Sequence, residues 1–394
     1  MKHIRTFGAA WIAAVSLAAS AGAAPVVPRT LALALNKAQA AYAAHDYSAA
    51  LERLHAIQRQ GGLDAYQDYL VERSLGSVAA AAGAYGESAT ALASALHNSA
   101  GDPRAVGALA ATLVYDHYQL RDYAAVIADA RTWSAQLQGQ AQIRPMLLQA
   151  YASTRQCAAL DQLLGRGSRD PAGLASLAAC YQAAGDARAE YAAVVRLLRV
   201  QPSAQNWKIA LALASREKGA GDRYALDLLR LRSRLGLLDT ASQSMNLAML
   251  ELEAQDPRAA SSVLQAGYKS GVLGTGAGAP RQARLVKLVD ARLAAQPGQW
   301  ARIASASRTE QLNAALAMVD AGQVAAGLTL LKKAEGAAPL PDADLVNLRL
   351  AQSMAGAGRI AQAHAIARSV ALHARGTLRD IAGLWQVALD GVRP

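Results

Sequence analysis

A short helix–turn–helix rhythm recurs along most of the chain and constrains its fold more than any other feature. In the stretch YAAHDYSAALERLHAI, a polar turn precedes Tyr47, and the small residue Ala50 follows three positions later. Comparable positions recur at Ala50, Ser88, Val126, Leu160, Glu190, Leu226, Ala260, Gly327 and Ala363. Most steps between them are close to a period of about 34 residues, and the step from Ala260 to Gly327 is about twice as long. Repetition at this period predicts stacked helix pairs, since one pair cannot bury its apolar stripe alone.

The composition supports a helical interpretation of this rhythm. Hydrophobic residues make up 53% of the 394 residues, but aromatic residues only 5%, and alanine supplies much of the difference. Alanine has the highest helix propensity, whereas strands favour β-branched and aromatic side chains. The sequence therefore predicts an all-α fold.

The repeat resembles the tetratricopeptide repeat (TPR) family over residues 31–275 and 307–375. The matching positions are the first-helix pairs Leu75-Gly76 and Leu177-Ala178, Tyr181, the Gly185-Asp186 turn, the second-helix alanines and the terminal prolines Pro202 and Pro339. Several copies lack the signature alanine and carry Val126, Leu160 or Glu190 instead. The resemblance implies a right-handed superhelical solenoid of antiparallel helix pairs, with a groove lined by first helices. The alternative is a bundle of unrelated amphipathic helices.

Breaks in the pattern predict the domain organisation. The stretch GVLGTGAGAP at residues 271–280 is rich in glycine and ends in proline, which is typical of a joint. We expect a signal peptide at 1–23, an N-terminal TPR-like array at 24–275, a Gly-rich linker and linker helix at 276–306, and a C-terminal array with a closing helix at 307–394. Residues 224–276 also resemble the middle of a group of exported bacterial repeat proteins that has no agreed activity.

The first residues have the features of a secretory leader. Lys2 and Arg5 precede an apolar run, and small residues in A-x-A order follow it. We expect cleavage after Ala23, with Ala21 as a second choice and an uncleaved N-terminal anchor as the alternative. No later segment has about 20 continuous apolar residues, so the mature chain is not expected to span a membrane. The sequence thus predicts a periplasmic protein.

The formal net charge of +11 raises the question of a polyanionic partner. Export argues against nucleic acid and leaves envelope polymers such as acidic polysaccharides. The simpler alternative is a solvated basic surface. The run RLRSRL, with Arg230, Arg232 and Arg234, is interpreted in this simpler way.

The motifs of common catalytic sites are absent from the sequence. There is no HExxH, GxSxG, GxxxxGK[ST] or CxxC motif. The histidines do not cluster, and His117 beside Asp116 is interpreted as packed or solvated rather than as a base. Glu251 and Glu253 are two apart and face different ways on a helix. We therefore expect no enzymatic activity, no cofactor and no metal.

Polar and aromatic residues at groove-facing positions of the first helices indicate binding. In the predicted register these are Gln39, Tyr42, Arg73, Tyr115, Tyr118, Gln149, Gln182, Lys208 and Lys218. Tyrosine, glutamine and scattered cations suit an extended peptide or a sugar chain. The hypothesis is a scaffold for a protein or peptide partner in the cell envelope. An accessory of polysaccharide export that binds an acidic glycan is the alternative, and the tyrosines could instead pack between repeats.

The repeat register also places the two cysteines. Cys157 begins a second helix and Cys180 lies near the end of the next first helix. These helices run antiparallel in stacked repeats, so a disulfide between the two residues is plausible. The alternative is two buried free thiols in separate layers.

Overall fold

The computed structural model describes residues 27–98, 103–216, 220–336, 340 and 342–392. Within these ranges every regular element is a helix. None of the described helices is both long and apolar enough to cross a lipid bilayer. The predicted signal peptide at residues 1–23 and the groove residue Lys218 lie outside the described ranges.

The helices belong to two compact units, the first ending at Asp186 and the second beginning at Ala187. We call them unit 1 and unit 2. The helices of unit 1 are α1 (Arg29–Ala43), α2 (Tyr47–Gln60), α3 (Ala65–Ala82), α4 (Tyr85–His97), α5 (Pro103–Gln119), α6 (Tyr123–Thr132), α7 (Ile143–Ser153), α8 (Cys157–Leu164) and α9 (Pro171–Ala184).

The turn inside each helix pair of unit 1 repeats the same backbone geometry. In the first pair, His45 adopts a left-handed conformation with φ 60°. The N–H of Asp46 then donates to the carbonyl oxygen of Ala41 (2.9 Å), which closes the first helix in a Schellman motif. The Asp46 side chain accepts a hydrogen bond from the N–H of Ala49 (3.0 Å) and so caps the second helix. One four-residue segment therefore ends one helix and starts the next.

The left-handed position recurs at the period seen in the sequence. The residues concerned are His45, Gly83, Arg121, Arg155 and Gly185 in the turns of unit 1, and Gln255, Gly322 and Gly358 in turns of unit 2. Glycine adopts this conformation without steric cost, whereas other residues pay for the contact of their Cβ with the backbone. The repeat is thus a property of the backbone as well as of the side-chain pattern.

The small or apolar anchor positions explain how the helices of a pair approach. Ala50, Ser88, Val126 and Leu160 are all 0% exposed. A Cβ on Gly76 of α3 would lie 2.6 Å from the side chain of Leu92 in α4, so this contact requires glycine.

Successive pairs in unit 1 stack in chain order. Each second helix packs against the next first helix, and α3, α5, α7 and α9 also contact one another in sequence. The apolar side chains between them form two buried clusters, one on α1–α4 and one centred on α4–α7. The prediction of an all-α, TPR-like solenoid of antiparallel helix pairs is confirmed.

Cys157 and Cys180 form a disulfide within unit 1. Their Cα atoms are 5.7 Å apart, and both side chains are buried. The bond connects the start of α8 to the end of α9, as the repeat register suggested.

The helices of unit 2 are α10 (Ala187–Val200), α11 (Ala204–Ala214), α12 (Ala220–Arg223), α13 (Ala225–Arg234), α14 (Ala241–Glu253), α15 (Pro257–Lys269), α16 (Ala279–Ala301), α17 (Arg308–Asp320), α18 (Val324–Glu335), α19 (Ala343–Gly356), α20 (Ile360–His373) and α21 (Gly376–Leu389), with a 3-10 turn at Ile303–Ser305 between α16 and α17. The pairs α14–α15, α17–α18 and α19–α20 contain the repeated turn.

Unit 2 is closed by its last helix. The helix α21 packs on α20 and also returns to α11 and α13. Leu384 is 0% exposed and Trp385 is 3% exposed, and the Tyr191 hydroxyl of α10 donates to the carbonyl oxygen of Asp380 (2.7 Å). Unit 2 therefore combines residues that the sequence assigned to both arrays, and the segment predicted as a linker at 276–306 lies inside it.

We expect Arg121→Gly to raise the free energy of unfolding by about 0.5–1 kcal/mol, because Arg121 is exposed and its φ is 59°. Chemical denaturation measures the change. The control Ala128→Gly, at an exposed position in the middle of α6, should lower stability by about 1 kcal/mol. Equal losses in both variants would contradict a left-handed turn at Arg121.

Replacing both cysteines with serine should lower the free energy of unfolding by about 3 kcal/mol, since the disulfide closes a loop with a sequence separation of 23. The reduced wild-type chain should lose a similar amount in the same denaturation experiment. A variant as stable as the oxidised chain would show that the bond contributes nothing.

Candidate functional site

The predicted groove residues do not all lie in one unit. Unit 1 carries seven of them on its first helices: Gln39 and Tyr42 on α1, Arg73 on α3, Tyr115 and Tyr118 on α5, Gln149 on α7 and Gln182 on α9. Lys208 lies on α11 of unit 2, where its Nζ is 2.6 Å from Oδ2 of Asp239. We call the surface of unit 1 formed by α1, α3, α5, α7 and α9 the first-helix face.

The tyrosines of the first-helix face pack against tyrosines of second helices. The ring of Tyr42 lies 5.7 Å from that of Tyr47, and the ring of Tyr118 lies 6.2 Å from that of Tyr123, both across a turn. Because these rings are half-buried, they hold fixed orientations and still present an edge to solvent. Part of their role is therefore the packing that the sequence left open as an alternative.

Tyr115 joins two successive helix pairs. Its ring meets that of Tyr85 edge to face, with centroids 5.9 Å apart. Burial, together with a hydrogen bond to Tyr85, raises the pKa of Tyr115 to about 12. The hydroxyl of Tyr115 is therefore a neutral hydrogen-bonding group at any physiological pH.

Two of the three glutamines in the predicted set are exposed on this face. Gln149 and Gln182 are exposed on α7 and α9, and the Gln149 amide donates to the Ser153 hydroxyl (3.2 Å) on its own helix. Amide side chains can both donate and accept, as a peptide backbone requires of its partner.

A buried polar contact beneath this face was missed by sequence reasoning. The Ser88 hydroxyl oxygen lies 2.8 Å from the Gly76 carbonyl oxygen and 2.5 Å from Oδ2 of Asp116. One hydroxyl proton cannot serve both acceptors. Burial raises the pKa of Asp116 to about 7, so the protonated carboxyl can donate to Ser88 while Ser88 donates to Gly76. The sequence signal was a serine at a position where most repeats carry an apolar residue.

Unit 2 contains a buried network of charged side chains that the sequence also failed to reveal. Arg230 of α13 donates two hydrogen bonds to Glu251 of α14, at 2.7 and 2.5 Å. A third donor of Arg230 contacts Gln352 of α19 (3.1 Å). The Gln352 amide then donates to Asp227 (2.8 Å), and Arg349 lies 3.4 Å from the same carboxylate. This network connects α13, α14 and α19.

Arg230 corrects one interpretation of the sequence. In the run RLRSRL it was expected to lie on a solvated face, but its side chain is only 15% exposed and is bound to Glu251. A bidentate pair between guanidinium and carboxylate is the strong form of this interaction. The run itself gives no indication that Arg230 is buried, because its partner Gln352 lies 122 residues away in the sequence.

Two further carboxyls lie close to the network. Burial raises the pKa of Asp256 to about 7, and the neighbouring Asp320 adds to that shift. Burial likewise raises the pKa of Asp320 to about 6. A Cβ on Gly356 would lie 1.8 Å from Oδ1 of Asp320, so glycine makes room for this carboxylate. Beside them is a recess of about 440 Å³ whose lining includes Arg234 and Trp385.

The described residues contain no group of three or more His, Cys, Asp or Glu side chains arranged to hold a metal ion. The polar groups that the fold brings together are instead engaged with one another. They form charge pairs, and burial raises the pKa values of Asp116, Asp256 and Asp320.

Comparisons with known proteins do not identify a family. No protein-family model matches the chain, and no curated protein matches it. A structure search aligns the crystal structure of yeast Tom70 over 92% of this chain and 95% of that chain, with 10% sequence identity and a TM-score of 0.27. A TM-score this low does not show a shared fold, and the helix pairs described above define the fold of this chain.

Replacing Arg230 with methionine should lower the free energy of unfolding by about 3–5 kcal/mol, because Glu251 would remain buried without a partner. The double variant Arg230→Met/Glu251→Met should lose much less. Urea denaturation of the two single variants and the double variant measures the coupling. Additive losses would contradict the pairing.

The pH dependence of stability should report the buried carboxyl of Asp116. Between its ordinary pKa of 3.8 and the folded value of about 7, the folded chain holds a proton that the unfolded chain has released. Stability relative to Asp116→Asn should therefore fall as pH rises from about 4 to about 7 and stay level above that. Denaturation at several pH values tests this, with exposed Asp222→Asn as the control. Parallel curves for the wild type and Asp116→Asn would contradict it.

Proposed function

We propose that the chain is a non-catalytic scaffold that binds a protein partner, as an extended peptide, along the first-helix face of unit 1. The observation that carries this proposal is the stacking of α3, α5, α7 and α9 side by side. That arrangement places exposed side chains from successive repeats in one row, so that each repeat can contact the same extended ligand.

The side chains of this row support a peptide ligand. Tyrosine supplies a large contact area at low conformational cost, and its hydroxyl provides a polar contact. The rings of Tyr42, Tyr115 and Tyr118 are already held by aromatic neighbours. Because these rings are ordered before binding, less entropy is lost when the ligand arrives.

Two observations support a location in the cell envelope after export. The first residues have the charge and hydrophobicity pattern of a cleavable leader. Cys157 and Cys180 are paired, and structural disulfides persist mainly in oxidising compartments such as the bacterial periplasm. The proposed site of action is therefore the periplasm.

A second candidate function is favoured by the formal net charge of +11. An accessory of polysaccharide export would bind an acidic glycan through such a surface. Binding of this kind depends strongly on salt, because the contacts are mainly electrostatic.

Site-specific photocrosslinking in cells that export the chain tests the first proposal. A crosslinking side chain at Gln149 or Gln182 should capture one discrete protein, because both positions are exposed on the first-helix face. The matched control is Gln162, an exposed glutamine on the second helix α8. Equal capture at all three positions, or none at Gln149 and Gln182, would reject the peptide-binding face.

A parallel binding experiment separates the second candidate. The purified chain is applied to immobilised alginate, an acidic polysaccharide, and eluted with sodium chloride. Retention that is released by salt, together with no specific crosslink at Gln149 or Gln182, would favour the glycan-binding function.

A further inference from the structure

Exposed arginines form a row along one side of α16 in unit 2. Successive members of the row are three or four residues apart, so they lie one above the other on a single face of the helix. We call this face the basic row, and its exposed members are Arg281, Arg284, Leu288, Arg292, Ala295 and Gln299. At about 1.5 Å of rise per residue, the row is about 27 Å long.

The basic row carries positive charge that its own helix does not neutralise. Arg281, Arg284 and Arg292 make no ion pair with any described residue. The one acidic residue of α16 is Asp290, which lines a separate recess facing α15. At about 100° per residue, it lies about 180° around the helix from Arg281. The row is therefore a surface that attracts anions.

The C-terminal end of the basic row borders a second recess, of about 320 Å³. Arg292 and Gln299 of the row line this recess together with Arg302, the residue that follows α16. Segments around the end of α16 supply other lining residues, which include Leu252, Gln255, Pro257, Ile303 and Glu310. The recess thus brings two guanidinium groups, two amides and one carboxylate to the same place, beside apolar side chains.

Glu310 is the single carboxylate in this lining, and its position is fixed. Its Oε2 accepts hydrogen bonds from the hydroxyl (2.7 Å) and the N–H (2.8 Å) of Ser307, and these bonds lower the pKa of Glu310. Two arginines against one carboxylate leave the recess positive. Glu310 is at the same time an acceptor for hydroxyl groups. A ligand that suits this lining combines negative charge with hydroxyl groups.

From these observations we propose that the basic row and the recess at its end bind an acidic polysaccharide. Carboxylates of successive sugars lie along Arg281, Arg284 and Arg292. One sugar unit enters the recess, where Arg302 contacts its carboxylate and Gln299 its hydroxyl groups. The proposal rests on the second candidate function and gives it a site, and it is independent of the first-helix face of unit 1.

The surface suits a glycan better than a membrane or an acidic peptide. A lipid surface is flat and cannot enter the recess, and a helix that lies in a membrane interface has a broad apolar face. The basic row has one large apolar member, Leu288. Peptides gain most of their affinity from apolar or aromatic anchors in desolvated pockets, whereas more than half of the residues that line the recess are polar.

Fluorescein-labelled oligomers of mannuronate and galacturonate test the proposal by fluorescence anisotropy with the full chain. Their methyl esters are the controls, because they keep the sugar rings and remove the negative charge. The chain should bind at least one acidic oligomer with micromolar affinity, about tenfold more tightly than the ester of that oligomer. Added sodium chloride should weaken the binding, since the contacts are largely electrostatic.

Matched variants locate the binding. Arg292→Glu should weaken it about tenfold, because Arg292 belongs to both the row and the recess. Lys287→Glu makes the same change of charge at an exposed position of the same helix, about 140° around from Arg292, and should leave affinity within about twofold. Gln299→Ala should weaken binding severalfold without changing its salt dependence, since the amide is uncharged. Thermal denaturation checks that each variant is folded.

Three results would overturn the proposal, and they are distinguishable. Binding by the wild type that is unchanged in both Arg292→Glu and Gln299→Ala would place the glycan site elsewhere and leave the second candidate function standing. No binding of either acidic oligomer would overturn the site and that function together. Binding of polyglutamate or of phosphatidylglycerol vesicles that is lost in Arg292→Glu, without binding of the oligomers, would assign the row to an acidic protein or a membrane.

Discussion

Most of the described fold depends on one backbone reversal. A residue in the left-handed conformation, such as His45 or Gly83, ends one helix, and the next residue both closes that helix and begins the second. Because the same few hydrogen bonds set the angle each time, the pairs with this turn present their apolar stripes in the same way. Stacking then buries the stripes of successive pairs against each other.

The parts of the fold that repeat could be predicted from the sequence, because they are local. The positions of Ala50, Ser88 and Leu160 were identified from spacing alone, and all are fully buried. The step from Leu160 to Glu190 is shorter than most, and the structure repeats it, since Arg155 and Gly185 occupy left-handed turns at the same spacing. The proximity of Cys157 and Cys180 follows from that register.

The charged network could not be predicted, because nothing local specifies it. Arg230 meets Gln352 at a sequence separation of 122, and neither position is marked by the repeat. A repeat period of about 34 residues likewise gives no indication that α21 packs against α11 and α13. The candidate site was affected in the same way: periodicity placed Tyr115 on a first helix, but its contact with Tyr85 depends on the packing of two successive pairs. Lys208 fitted the register and yet lies in the other unit.

The network in unit 2 also imposes an order on folding. Asp227 and its partner Gln352 are separated by 125 residues, which a ribosome covers in roughly 6–25 s at 5–20 residues per second. During that interval the carboxylate of Asp227 has only water and nearby residues as partners. The helix pairs of unit 1 can form one after another as they emerge, whereas α13 must wait for α19. The network around Asp227 can therefore be completed only after α19 is available.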